Sequence, residues 1–138
     1  MVKREERLPV AGERKVKGYA GRIINLTIEK QYLDPALWHE TVEQYCVKSD
    51  SKRGDWRGEY WGKLMRGACL TYEATGNKKL YSTITESVKD MLSAQGKDGR
   101  FSTYETEDEL VWWDMWCRKY VMLGFLYYYD IAKSEPLK

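Results

Sequence analysis

Two clusters in this chain combine flat aromatic rings with carboxylates. One is Asp55, Trp56, Arg57, Glu59 and Tyr60; the other is Tyr104, Trp112, Trp113, Asp114 and Trp116. Carbohydrate recognition needs that combination, because aromatic faces pack against the C–H face of a sugar ring and carboxylates accept hydrogen bonds from its hydroxyls. If each cluster sits at the start of a helix, free backbone N–H groups add donors for sugar oxygens. Glycoside cleavage requires two carboxyl groups flanking the scissile bond, and Glu59 with Asp114 is the pair to test for it. The same residues also have plain structural uses. Trp56 and Trp113 can cap a hydrophobic core, and Asp114 can pair with Arg118 one helical turn on.

Other chemistries find no support. His39 is the lone histidine and lies on an outer helix, where it reads as a surface residue, so no Ser-His-Asp or Cys-His set can be argued. No C-x-x-C or H-x-x-x-H spacing suggests a metal, and no glycine-rich phosphate loop is present. Cys46, Cys69 and Cys117 are odd in number and lie in helical apolar patterns, which reads as free thiols rather than a disulfide scaffold. A formal charge of +2 from 23 basic and 21 acidic residues argues against a dedicated nucleic-acid surface. The basic start (Lys3, Arg4, Arg14, Lys15, Lys17) reads as a solvated strand or tail. No stretch approaches the ~20 apolar residues of a membrane span. Met1 to Arg7 leads into no apolar signal region, so the chain as it stands reads as cytoplasmic, or as periplasmic or secreted if a leader was removed.

The elements that must position the two clusters follow from periodicity. Residues 1–33 read as an extended, strand-like lead-in, with Ile24, Leu26 and Ile28 alternating and Gly18 and Gly21 marking bends. Residues 34–138 read as helical hairpins. Asp34-Pro35 starts a first helix bearing Trp38, Val42 and Tyr45 on one stripe. A second runs from about Arg57 to Thr75, with Gly58, Gly62 and Gly67 each costing roughly 1 kcal/mol of helix propensity, as a close neighbour would demand. Asn77 caps a third, with Leu80, Ile84, Val88, Met91 and Leu92 facing inward. A fourth, from about Val111 to Lys133, is apolar almost all round and so is expected to be buried on most sides.

An internal repeat ties these together. Trp56 to Ala74 and Trp113 to Ile131 align with Trp56/Trp113, Met65/Met122, Gly67/Gly124 and Tyr72/Tyr129 in coincidence. One helix pair used twice explains this. The second and fourth helices then point the same way, as inner helices, and share one rim of tryptophan and acid. Two pairs alone leave an inner edge open, to be covered by further helices or by a second copy. The fold class is therefore mainly all-α, in antiparallel helical hairpins.

Four blocks carry a resemblance: E-Y-W-G-K-L-M-R-G-A, Y-E-A-T-G-N-K-K-L, D-G-R-F-S-T-Y and W-D-M-W-C-R-K-Y-V-M-L-G-F-L-Y-Y-Y. In this order and spacing, from about Val16 to Ile131, they resemble the N-terminal part of the β-L-arabinofuranosidase-like glycoside hydrolases, family 127 and its relatives. The resemblance implies part of an (α/α)6 toroid backed by β-sandwich domains. It implies that Tyr104, Trp113, Asp114 and Lys119 lie near a sugar subsite, with Trp56, Glu59 and Tyr60 beside them. This chain departs from well-known members in having Trp113 and Tyr120 where they carry histidines. The resemblance also implies a zinc-held cysteine nucleophile with glutamates in the complete enzyme, downstream of these residues. Cys46, Cys69 and Cys117 do not match it, so no catalytic residue and no metal ligand is carried over. The resulting expectation is the N-terminal segment of a glycoside hydrolase acting on plant or bacterial polysaccharide or oligosaccharide, inactive by itself. The alternative is a non-enzymatic helical-repeat module that binds carbohydrate or protein through an aromatic rim.

Overall fold

A computed structural model describes residue 12 and residues 15–133. Among the described residues five α-helices follow one another: α1 (Gly18–Thr27), α2 (Pro35–Cys46), α3 (Glu59–Thr75), α4 (Lys78–Ser93) and α5 (Asp114–Ala132). None of the described residues forms a strand. Lys3, Arg4, Arg14 and the Met1–Arg7 stretch lie outside the described residues; Lys15 and Lys17 are exposed.

The lead-in differs from the expected extended segment. It is helical from Gly18 and continues as one wider π-helical turn over Ile28–Tyr32. The apparent alternation of Ile24, Leu26 and Ile28 hid a helical period. Ile24 and Ile28 are four apart and share the inward face, with Ile28 buried, whereas Leu26 and Ile23 point to solvent.

The other helices form for the expected local reasons. Asp34 accepts a hydrogen bond from the Ala36 N–H (3.0 Å), and Pro35 occupies the first position of α2. Gly76 ends α3 in the left-handed conformation. Asn77 then caps α4 by accepting from the Lys79 and Leu80 N–H groups (3.0 and 3.1 Å). With so short a link, α3 and α4 form an antiparallel hairpin. Leu80, Ile84, Val88 and Met91 recur at helical spacing on the buried face of α4, and Leu92 is half exposed beside them. Trp61, Met65 and Tyr72 of α3 fill the centre, and the Trp61 indole N–H is satisfied by Ser87 (3.0 Å).

α3 and α5 run parallel over their first halves. Their first turns meet where Trp116 donates to Glu59, and Arg66 lies over the Tyr127 ring further down. Two glycines allow the approach. A Cβ at Gly62 would lie 2.0 Å from the Tyr120 carbonyl oxygen, and one at Gly124 would lie 2.7 Å from the Trp61 ring. The glycines that cost helix propensity thus let two backbones touch.

α5 is less enclosed than its composition suggests. Met115, Met122, Leu126 and Tyr129 are all more than half exposed. Their counterparts in the repeat, Gly58 just before α3 and Met65, Cys69 and Tyr72 within it, are all buried. The open edge expected of two helix pairs is therefore this face of α5. It is the same face by which α3 receives its neighbours.

Candidate functional site: the rim at the starts of α3 and α5

Two buried carboxylates build the rim from below. Asp50, in the loop before α3, has no exposed surface. Its carboxylate accepts from the Arg57 and Gly58 N–H groups (3.2 and 3.0 Å) and the Thr103 hydroxyl (2.6 Å), with the Cys117 thiol 4.0 Å away. Its backbone N–H donates to the Thr103 carbonyl (3.1 Å). Since α3 has no side-chain cap of its own, Asp50 supplies the negative charge at that helix start from eight residues upstream. Tyr45 reinforces the joint, its hydroxyl donating to the Gly58 carbonyl.

Asp114 plays the matching part under α5. It is fully buried and accepts from Ser102 (2.7 Å), the Leu110 N–H (2.9 Å) and Arg118 (3.0 Å). Arg118 in turn reaches Glu109 (2.7 Å). The turn it anchors carries Leu110 and Trp112 at φ of 67° and 50°, a left-handed backbone that costs a side-chain-bearing residue about 1–2 kcal/mol. The Asp114 contacts hold that turn.

Above these anchors lies a ladder of rings. Trp56 meets Trp113 edge to face with centroids 6.0 Å apart, Trp113 meets Trp116 at 6.0 Å, and Trp116 meets Tyr120 at 5.3 Å. The three indoles remain 47%, 44% and 39% exposed, with Lys119 lying over the Trp116 ring. Glu59 sits at the ladder's edge, receiving the Trp116 indole N–H (2.5 Å) and pairing with Lys63 (2.5 Å). The Lys119 ammonium lies 3.3 Å from the Trp116 ring centroid and 4.4 Å from that of Tyr120.

Of the residues singled out in the sequence, Trp56, Trp113 and Lys119 come together at one surface, with Glu59 beneath them and only 7% exposed. Tyr60 lies apart, in a groove between α2 and α3 with Leu37, Thr41 and Gln44. Tyr104 is buried; its hydroxyl donates to the Asp55 carbonyl and receives the Trp113 N–H (3.4 Å). Asp114, buried and fully engaged, sits beneath the surface and so is not poised to exchange a proton with substrate beside Glu59. Asp50 and Lys63 went unrecognised in the sequence. Nothing in S-D-S-K-R-G-D distinguishes Asp50 from Asp55.

The family model described as Beta-L-arabinofuranosidase, GH127 catalytic domain, matches residues 12–137. The chain belongs to this glycoside hydrolase family. No curated protein and no solved structure gives a match. The zinc implied for the GH127 family finds no fit in this segment: no group of three or more His, Cys, Asp or Glu side chains among the described residues could hold a metal ion. Burial pushes the thiols of Cys69 and Cys117 up to about 12, with the Asp50 charge adding to the effect at Cys117. Both remain protonated and non-nucleophilic at neutral pH.

Asp114 gives this GH127 chain a testable acid response. Burial alone would raise its pKa, but the bonds from Arg118, Leu110 and Ser102 and the Arg118 charge hold it below the ordinary 3.8. A carboxylate depressed in the folded state stabilises above its unfolded value, and that contribution is lost as pH falls through the folded one. Urea midpoints measured from pH 7 to pH 2 are therefore expected to fall more steeply below about pH 4 for wild type than for Asp114→Asn. Parallel curves for the two proteins would refute this role of Asp114.

Proposed function

We propose that this chain forms wall and rim of the sugar pocket in a glycoside hydrolase of (α/α)6 toroid form, and that the nucleophile comes from elsewhere in the enzyme. The observation that carries the reading is the ladder Trp56–Trp113–Trp116–Tyr120, partly exposed at the common end of two parallel helices. Contiguous exposed rings of this kind are costly on a free surface and mark ligand contacts. Trp56 and Trp113 offer faces for a sugar ring and Lys119 a polar partner for its substituents, while buried Glu59 holds the Trp116 indole in place. Asp50, Tyr104 and Asp114 act beneath them as supports. The open face of α5 is the seat for the remaining helices of the toroid, since the equivalent face of α3 is buried by its neighbours.

Glycan-array binding of wild type, Trp113→Ala and Glu59→Ala tests the rim. Trp113→Ala is expected to weaken sugar binding about tenfold or more, the equivalent of ~1.4 kcal/mol. Glu59→Ala should also weaken it, because that change frees the Trp116 indole. Unchanged binding in both variants, or no sugar bound by wild type, would sink the proposal.

A further inference from the structure

Trp112 stands apart from the ring ladder. Among the described residues it is the most exposed large apolar side chain, at 74%. It precedes α5 and is not part of that helix's open stripe; its indole lies on Gly54, in the loop before α3. A Cβ built on Gly54 would stand 2.9 Å from Trp112 Cδ2, 3.1 Å from Cε3 and 3.2 Å from Cγ. The ring-fusion carbon is nearest, and the two atoms bonded to it are slightly farther. That point therefore lies over the face of the indole, because an approach in the ring plane on that side would come closer to Cε3 and Cγ than to Cδ2. One face of Trp112 is thus seated on a residue without a side chain, and its high exposure leaves the other face open.

The backbone fixes this ring in place. Leu110 and Trp112 both hold a left-handed φ, which persists only where the surroundings enforce it. Here one guanidinium grips both ends of the turn, with Arg118 Nη2 at 2.7 Å from Glu109 and 2.9 Å from Asp114. Arg100 also pairs with Glu109. Trp113, by contrast, is flanked by the rings of Trp56 and Trp116 at 70° and 72°. A flat ring already ordered, with a free face beside the rim, binds without the entropy cost of being fixed. The C–H face of a sugar is the surface that such a ring takes. We propose that Trp112 is a second sugar platform, holding the neighbouring residue of an oligosaccharide whose first residue packs at Trp113. This rests on the reading of the rim as a sugar site and adds the length of the ligand to it.

The test uses length series: mono-, di- and trisaccharides of arabinose, xylose, galactose and glucose. Binding is measured by calorimetry to wild type, Trp112→Ala, Trp112→Phe and Trp113→Ala. Wild type is expected to bind the disaccharide of at least one series about tenfold tighter than its monosaccharide. Trp112→Ala should remove that gain and leave monosaccharide affinity unchanged, and Trp112→Phe should keep part of the gain. Trp113→Ala should weaken both lengths. Equal wild-type affinity for one and two residues in every series would overturn the inference and leave the rim reading standing. So would a gain that survives Trp112→Ala, or an equal loss for both lengths in that variant, which would put Trp112 in the first subsite. Failure of wild type to bind any of these saccharides would overturn both.

Discussion

Asp50→Ala is expected to lower the unfolding free energy by about 3–5 kcal/mol, which makes it one of the two most damaging single changes here. The carboxylate is the common acceptor for two N–H groups at the start of α3 and for the Thr103 hydroxyl on the loop before α5. Removing it orphans three donors at a fully buried position, each worth about 1–3 kcal/mol when left unsatisfied, less whatever water recovers. Total stability of a domain this size is about 5–15 kcal/mol, so the loss takes a large share. Asp50→Asn keeps one acceptor oxygen but turns an N–H₂ toward the other donors, and should fall between. Urea unfolding measures both. The near-ultraviolet circular dichroism of Asp50→Ala should also weaken under folding conditions, because Asp50 holds together the two segments that carry the indoles. A change under ~1 kcal/mol with an unaltered spectrum would show that Asp50 does not hold the rim.

Gly62→Ala is the second. Alanine normally favours a helix over glycine by about 1 kcal/mol, so propensity alone predicts a gain. The added methyl would sit 2.0 Å from the Tyr120 carbonyl oxygen and 2.4 Å from its carbon. Those atoms are backbone, so α5 must shift away from α3 and loosen the interface around Trp61 and Phe125. Overpacking of this severity costs about 3 kcal/mol, giving a net loss of ~2 kcal/mol after the propensity gain. Gly67→Ala is the control. There the new Cβ meets the Tyr32 hydroxyl at 2.5 Å, the far end of a side chain that can rotate aside. Thermal unfolding should show Gly62→Ala melting well below wild type and Gly67→Ala close to it. Equal midpoints for the two alanine variants would mean that the helices are not in backbone contact at Gly62.

What could be read from the sequence follows the range of the physics involved. Caps act over three or four residues, so Asp34, Asn77 and Gly76 marked helix ends correctly. The repeat was visible because Trp, Met, Gly and Tyr coincide, and it gave the parallel order of α3 and α5 together with the shared rim. The helical lead-in is not legible in the sequence because Ile24, Leu26 and Ile28 fit a period of two over a span too short to separate it from a helical one. At the rim, residue type identified the rings but not their depth. Tyr104 and Asp114 look as available in sequence as Trp113 does. Their burial depends on Ser102, Leu110 and Arg118 arriving from three segments. Asp50 stayed hidden for the same reason, since its partners at 103 and 117 are more than fifty residues away.

The repeat has one mismatch with a geometric consequence. Where α3 carries Gly62, α5 carries Lys119. A helix seated on α5 in the register that α5 adopts on α3 would meet a long charged side chain at the point where α5 itself met no side chain at all. In the toroid proposed above, the contact on α5 would therefore be wider than the contact between α3 and α5, and the gap would open at the tryptophan-bearing end, beside Trp116.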